Sequence, residues 1–365
     1  MMSLIPQKSK RKSPIVNSRL FAQVCAVFLI TAMLIPSLPP NNKASALGTL
    51  PVSSVFDLTD SSDMLIREKP LQRSTVLQSF AFDNVNKHIY TAQLIGGGLQ
   101  LPGESSAPTA ETRDINGDLC ITKLDLSGNI ISYMYVKGAG HGVSFGVEPG
   151  VGQNGEPVAY LWTEIDSFND NGSGRGTKIA RFPFTDGAVV TPNTPWITKH
   201  TIIPGAVNTT VSIDMTHGNL LMRYKLNDVF RLAVYNLEQV KLGNYVSLVD
   251  IAQPTITGNP TFQGYALFGN YAYLLDGNYY GSPGSVAPDG NTYITSVNLN
   301  TGAIVDRKLT KAAYSLLYRE PEGLAIQIPN MNNPGAARLA MGFASYISST
   351  NSGKQASIYY KDVLN

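Results

Sequence analysis

The sequence has little cysteine. Two cysteines occur in 365 residues, Cys25 and Cys120, and Cys25 lies in an N-terminal segment whose composition differs from that of the rest. One remaining cysteine cannot form an intramolecular disulfide, so the fold must be stabilised by burial of an apolar core. Cys120 lies in an apolar strand pattern, where we expect a buried, inert thiol.

The sequence also has little net charge. Residues 1–46 contain six of the 28 Lys and Arg residues and none of the 26 Asp and Glu residues, so the rest of the chain has 22 basic and 26 acidic residues. Generic nucleic-acid binding depends on a basic surface. We therefore expect no nucleic-acid partner.

Motifs of the common enzyme and metal sites are missing as well. The sequence has no Gly-x-Ser-x-Gly, no nucleotide-binding glycine loop, and four histidines without metal-ligand spacing. Residues 114–118 have part of the spacing of a calcium loop, but Leu119 stands where that loop needs glycine. This segment is better explained as a turn. We predict no catalytic residue, no metal and no cofactor, with calcium as the one cation that the pattern leaves open.

The chain does contain a five-fold repeat. A polar residue followed by small and large apolar residues in alternation returns at intervals of 63, 68, 54 and 59 residues. A period of this length indicates a repeat architecture, and alternation at period two predicts a strand with two unlike faces. Small side chains suit the innermost strand of a propeller blade, where space is limited. The five segments are 78–82, 141–145, 209–213, 263–267 and 322–326.

Further β-patterned segments follow each repeat. They are separated by Asn-Gly, Asp-Gly and Gly-Asn pairs, which are typical of tight turns. The fifth repeat is one strand short, whereas residues 47–74 contain an additional strand pattern. We therefore predict an all-β, five-bladed β-propeller over residues 75–365, closed by a strand from residues 50–60. Closure of the ring would remove exposed sheet edges.

Residues 1–46 have the layout of a secretory signal peptide. A basic leader precedes an apolar run at 20–38 and a small-residue cleavage site, Ala44-Ser45-Ala46. An uncleaved membrane anchor is the alternative, because the apolar run is long enough to span a bilayer. The layout is typical of Gram-positive export. We expect a secreted, extracellular or cell-wall-associated protein with no membrane insertion after cleavage.

Several segments resemble the bacterial teichoic acid biosynthesis protein C family. The matching segments read QSFAFD (78–83), GDLCITKLD (117–125), GHGVSFGVE (140–148), YLWTE (160–164) and RGTKIARF (175–182). The resemblance covers residues 75–362. The family shares its propeller with a receptor-binding tail protein of staphylococcal phage and, more distantly, with helveticin J class bacteriocins. The resemblance implies a five-bladed propeller that acts at a Gram-positive cell envelope.

The polar residues of the repeat define a candidate ligand site. The first residue of each repeat opens an innermost strand, so a propeller places these residues around one mouth of its axial channel: Gln78, His141, Thr209, Gln263 and Glu322. The ends of the second strands return to the same face and add Gln93, Glu164, Arg223 and Asp276. Amides, acids, an imidazole and a guanidinium suit hydroxyl-rich or glycerol-phosphate ligands. Solvation of an open channel mouth is the alternative reason for their polarity.

Three functions of different classes fit this sequence. A module that binds wall teichoic acid or a similar cell-wall glycopolymer is the preferred interpretation. A hydrolase or transferase acting on such a polymer is the second, with His141 and Glu148 or Glu164 as an acid–base pair. A secreted bacteriocin or phage-like adhesion protein is the third. Turnover measured beside binding separates the first two, and killing of related strains identifies the third.

The leader predicts export. In a Gram-positive host we expect the protein outside the membrane, with the mature chain beginning at Leu47, because the small-residue site ends at Ala46. Amino-terminal sequencing of the exported protein measures this. An intact Met1 on protein recovered from the membrane fraction would contradict cleavage and favour the anchor.

Overall fold

The computed structural model describes residues 48–152 and 154–365. The leader predicted over residues 1–46, with its cleavage site, lies outside the described residues. The described chain is mostly strand, with two short α-helices and one 3₁₀ turn. No helix in this part of the chain has the length and apolarity needed to cross a bilayer.

The strands follow one another along the chain in five groups. The first group begins with β1 (Asp63–Lys69) and continues with β2 (Leu77–Asp83), β3 (His88–Leu94), helix α1 (Ala110–Asn116), β4 (Leu119–Asp125) and β5 (Ile130–Val136). The second contains β6 (Gly146–Val151), β7 (Pro157–Ile165), β8 (Phe168–Asp170), β9 (Ser173–Arg175), β10 (Lys178–Pro183), β11 (Val189–Val190) and β12 (Thr198–His200). The third contains β13 (Val207–Asp214), β14 (Asn219–Leu226), β15 (Val229–Asn236), helix α2 (Leu237–Lys241) and β16 (Ser247–Ala252). The fourth contains β17 (Phe262–Phe268), β18 (Tyr271–Asp276), β19 (Tyr293–Asn298) and β20 (Ala303–Leu309), and the fifth contains β21 (Glu320–Gln327), a 3₁₀ turn (Pro334–Ala336), β22 (Arg338–Ser348) and β23 (Asn351–Lys361).

These strands form five antiparallel blades. The sheet orders are β2-β3-β4-β5, β6-β7-β10-β12, β13-β14-β15-β16, β17-β18-β19-β20 and β21-β22-β23-β1, with β11 added in parallel to the edge of the first blade. The strands β2, β6, β13, β17 and β21 contact one another in a closed ring, so they are the inner strands. The predicted five-bladed propeller is confirmed.

Four of the five repeat segments lie within inner strands. The segment 141–145 instead precedes β6 as irregular backbone. Small residues of the repeat connect neighbouring blades: the Ser79 hydroxyl donates to the Gly142 carbonyl (2.5 Å), and the Ser144 hydroxyl donates to the Val211 carbonyl (2.9 Å). The alternation of small and large residues therefore sets the distance between blades at the axis.

The core lies between the blades. Each pair of neighbouring blades shares one cluster of buried apolar side chains. Tyr90 and Ile121 of the first blade, for example, pack with Phe145 and Leu161 of the second. Cys120 is fully buried in β4, as expected, and burial raises its pKa to about 12, which keeps the thiol protonated.

The ring is closed by an N-terminal strand, as predicted, but the predicted position was wrong. The closing strand is β1, which pairs antiparallel with β23 from Asp63 opposite Tyr360 to Lys69 opposite Ala356. The sequence of β1, DMLIREK, has charged residues on both sides of a short apolar run, and Ile66 is its one buried residue, as suits an outer edge strand. It therefore lacks the apolar alternation that would have predicted it.

Residues 50–60 cross the fourth and fifth blades as a strap. Phe56 packs against Phe268 and Tyr273, with ring centroids 5.3 and 5.4 Å apart, and its backbone N–H donates to the Tyr273 hydroxyl (2.9 Å). Within the described chain, Phe56 forms one isolated antiparallel β-bridge, to Leu364. Phe56 and Leu58 are buried in the apolar cluster that the fourth and fifth blades share, and this segment does not extend a sheet.

Helix α1 was not predicted, because seven residues are too short to show a helical period. Thr109 caps its first turn by accepting a hydrogen bond from the Thr112 N–H, and Gly117 ends it in the left-handed conformation. The segment 114–118, interpreted above as a turn, is the end of this helix.

The close approach of inner strands makes Gly323 difficult to replace. Its φ is +81°, and a Cβ there would lie 2.8 Å from the Cα of Ser79 in the first blade. We expect Gly323→Ala to lower the free energy of unfolding by more than about 2 kcal/mol, because backbone strain and a backbone clash add. Thermal and denaturant unfolding measure this.

Gly335→Ala is the matched control, because a Cβ at that position has its nearest neighbour, Asn333 Oδ1, 3.5 Å away. Equal stability of the two variants would show that contact at the axis does not limit this fold.

Candidate functional site

A cavity of about 520 Å³ lies where the inner strands begin, and residues of all five blades line it. Six of the nine residues predicted from the sequence face this cavity: Gln78, His141, Glu164, Arg223, Gln263 and Glu322. They are separated by as many as 244 residues in sequence. The propeller therefore brings them together at one mouth of its axis.

The other three predicted residues are engaged elsewhere. The Gln93 amide clamps the chain before β2, donating to the carbonyls of Arg73 (2.8 Å) and Thr75 (2.7 Å). The Thr209 hydroxyl donates to the Lys178 carbonyl (3.1 Å) and does not line the cavity. Asp276 lines a neighbouring cavity.

A local irregularity explains the position of Thr209. The register between β13 and β14 shifts between Val207 and Thr210. Thr210 then faces the cavity in place of its neighbour. A bulge of this kind reverses which side chains face inward, and the sequence pattern does not show it.

Glu164 lines the cavity and is almost fully buried. Its two carboxylate oxygens accept hydrogen bonds from the backbone N–H groups of Gly142 and Gly176, both at 2.7 Å. Gly140 and Gly176 leave room for the carboxylate, since a Cβ on either would overlap the Glu164 side chain. Burial raises the pKa of Glu164 to about 7, and the two hydrogen bonds partly oppose that shift.

Glu322 is also buried and has no side-chain hydrogen bond to any described residue. Burial, with a contribution from the nearby Glu320, raises the pKa of Glu322 well above its usual range. The protonated form of its carboxyl group is therefore favoured more than in an exposed glutamate. A neutral carboxyl is both a donor and an acceptor for a ligand in the cavity.

Arg223 is the buried cation of the site. Its guanidinium lies between the rings of Phe230 and Phe262, 3.8 and 3.9 Å from the two centroids. Its Nε donates to the Gln253 side-chain oxygen (2.7 Å). Burial lowers the pKa of Arg223 to about 9, so the group still carries its charge at neutral pH.

His141 belongs to a small polar network. Its Nδ1 lies 2.8 Å from the Ser173 hydroxyl and 3.5 Å from Asp114, while Ser173 itself donates to Asp114 (3.0 Å). The hydrogen bond to His141 is the main cause of the lowered pKa of Asp114. A catalytic triad needs serine and carboxylate on different ring nitrogens, whereas here both face Nδ1.

Glu148, the other acid considered for acid–base chemistry, is held outside the cavity. It accepts hydrogen bonds from Trp162 (2.9 Å), Arg181 (2.8 Å) and Lys241 (2.8 Å). These partners lower its pKa despite its burial.

In residues 48–152 and 154–365, no cluster of three or more His, Cys, Asp or Glu side chains could hold a metal.

One side of the cavity was not predicted from the sequence. The hairpin of β8 and β9 contributes Asp170, Asn171, Ser173 and Arg175, and it rests on the end of α1. An added Cβ on Gly174 would lie 2.5 Å from the Gly117 nitrogen, so this contact is close. The Asn171-Gly172 pair, typical of a two-residue hairpin turn, was the available signal.

Comparison with known proteins identifies relatives. The family model described as the phage 5-bladed beta propeller receptor binding platform domain matches residues 76–359. A protein of Bacillus subtilis (strain 168) named "Putative major teichoic acid biosynthesis protein C" is 26% identical over 301 residues, which cover 80% of this chain and 61% of that protein. The chain thus spans about three fifths of the length of this curated relative. The resemblance found in the sequence is confirmed.

A solved structure shares the fold. The tail fiber of Staphylococcus aureus phage P68 superposes with a TM-score of 0.62 at 19% identity, covering 84% of this chain and 54% of the fiber chain. Together with the match of the family model over residues 76–359, this assigns the fold and the family. The chain belongs to the family of phage five-bladed β-propeller receptor-binding platform domains.

Proposed function

We propose that this protein is a secreted cell-envelope module that binds wall teichoic acid or a similar glycopolymer in the axial cavity. The observation that carries the proposal is the convergence of polar side chains from five blades on one cavity of about 520 Å³. The name of the Bacillus subtilis relative and the receptor-binding description of the family support the same ligand class.

The cavity offers the hydrogen-bonding groups that a hydroxyl-rich polymer needs. Gln263 donates one amide hydrogen to the Gly277 carbonyl (3.0 Å), which leaves its amide oxygen for a ligand. Gln78, His141 and Glu322 add further donors and acceptors. These side chains stand on inner strands or beside them, so their ordering costs little conformational entropy on binding.

The geometry supports binding better than turnover. Ser173 and Asp114 both face the Nδ1 atom of His141, and Glu148 lies outside the cavity, so His141 and Glu148 are not placed as an acid–base pair.

Without its leader the chain has a small negative net charge, so attraction to an anionic polymer must come from a few local contacts. Binding should then weaken only modestly with salt.

The two glutamines provide a direct test. We expect Gln78→Ala combined with Gln263→Ala to weaken binding of purified wall polymer by roughly 1–3 kcal/mol, or about 5- to 150-fold in Kd, because each lost hydrogen bond contributes about 0.5–1.5 kcal/mol. Binding isotherms at two salt concentrations measure this. Gln239→Ala, on the exposed face of α2, is the control. A double variant that binds as tightly as the parent protein would place the site elsewhere.

The buried carboxyl groups make binding depend on pH. At pH 6 Glu164 is mostly neutral, because its pKa is about 7, and at pH 8 it is mostly ionised. We expect binding of an anionic polymer to weaken about 5- to 30-fold over this range, since the new charge repels the ligand by ~1–2 kcal/mol. Glu164→Gln should remove most of this dependence.

Glu111→Gln is the control for charge removal, because Glu111 is exposed on α1. The other titratable groups that face the cavity, His141, Asp170, Arg175, Arg223 and Glu322, remain in both variants. If Glu164→Gln retains the full pH dependence, another of these groups governs it and the role given to Glu164 is wrong.

A further inference from the structure

Arg223 differs from the other buried arginines of the described chain. Arg113 is fully buried and pairs with Glu104 (2.6 Å) and Asp118 (2.7 Å). Arg319 is also fully buried, and all three of its nitrogens donate to neutral oxygens of the protein. Arg223 is 8% exposed, and only its Nε has a partner, the amide oxygen of Gln253. No ion pair in residues 48–152 and 154–365 includes it.

A buried guanidinium without a carboxylate is costly, because burial removes its hydration. The rings of Phe230 and Phe262 and the amide of Gln253 hold its plane, but they leave both terminal amino groups without a hydrogen-bond partner among the described residues. Such a group is suited to bidentate binding of an oxyanion, which presents two oxygens to the planar fork.

Two cavities meet at this side chain. Arg223, Phe230 and Phe262 line the axial cavity and also a second cavity of about 380 Å³ between the third and fourth blades. A ligand group bound by Arg223 therefore has the axial cavity on one side and the second cavity on the other. A phosphodiester within a chain has substituents on both sides, whereas the carboxylate of a sugar acid is a pendant group.

Four of the five acidic side chains that line the two cavities are paired with a cation or have a raised pKa; Asp170 is the fifth, and Asp228 pairs with Lys225 (2.9 Å). Asp276, in the second cavity, is neutralised by a bidentate pair with Arg307 at 2.5 and 2.8 Å. Glu164 and Glu322 have raised pKa values because they are buried. Arg175 lines the axial cavity and adds a second positive charge.

We propose that Arg223 binds a backbone phosphate of a phosphodiester polymer at the junction of the axial cavity and the second cavity, with polymer on both sides of that phosphate. This inference rests on the proposed function and adds the chemical group recognised and the residue that recognises it. The stacked rings position the guanidinium, and the phosphate supplies the negative charge that the protein does not.

The test uses glycerophosphoglycerol, a phosphodiester with glycerol on both sides, titrated into the full chain by calorimetry. We expect the parent protein to bind it and Arg223→Gln to weaken that binding at least tenfold, because a charge-assisted bidentate contact is lost. Arg231→Gln is the matched control, since Arg231 lies on the same blade, pairs with Asp250 (2.9 Å) and lines neither cavity. Unchanged binding by Arg223→Gln would overturn the proposal.

A measurement on the parent protein keeps the test valid if Arg223→Gln is unstable. In protein labelled at arginine, glycerophosphoglycerol should shift the side-chain nitrogen resonances of Arg223 and leave those of Arg231 in place. Absence of a shift at Arg223 would overturn the proposal. Tighter binding of glucuronate than of glycerophosphoglycerol would also overturn it, in favour of a carboxylate ligand.

Binding of purified wall polymer separates this inference from the proposed function. If the parent protein and Arg223→Gln bind the polymer equally, the proposed function stands and the role of Arg223 is wrong. If the parent protein binds glycerophosphoglycerol through Arg223 but binds no wall polymer, the phosphate site stands and the proposed function is wrong.

Discussion

The close packing of five inner strands around one axis is the constraint on which the rest of this structure depends. Blades meet there through backbone and small side chains: the Ser144 hydroxyl binds the Val211 carbonyl, and Gly264 approaches the Cα of Gly323. A large side chain at such a position would push neighbouring blades apart, because the nearest atoms are backbone. The same packing aligns the starts of the inner strands, so the polar residues there face one cavity.

The electrostatic character of the site follows from that packing. Glu164 is tightly enclosed because the glycines at 140 and 176 leave room for its side chain, and the N–H groups of Gly142 and Gly176 donate to its carboxylate. Its burial raises the pKa, while the N–H groups of Gly142 and Gly176 keep the ionised form accessible near pH 7. The charge of this carboxyl group therefore changes near neutral pH.

The sequence predicted the blades well because the evidence for them is local. Alternation of small and large residues shows directly in segments such as 209–213 and 263–267, and tight-turn pairs mark their ends. The closing strand was misplaced because the edge strand β1 lacks alternation of apolar and polar residues, while the apolar residues Phe56 and Leu58 are buried in the cluster between the fourth and fifth blades. Contacts between segments hundreds of residues apart decide which of these two segments extends the last blade.

The site was predictable only in part for the same reason. The place of Gln78 and Glu322 at the start of an inner strand was enough to predict that they face the mouth. It was not enough to predict that Asp276 pairs with Arg307, or that a bulge turns the Thr209 side chain away from the cavity. The sequence likewise gives no sign that Arg223 lacks a carboxylate partner. Arg223 is buried without a carboxylate because Phe230 of the third blade and Phe262 of the fourth enclose its guanidinium. The other buried arginines of the described chain, Arg113 and Arg319, pair with carboxylates or donate to carbonyl and hydroxyl oxygens. An unpaired guanidinium at the junction of two cavities costs stability, and the proposed phosphate would offset that cost.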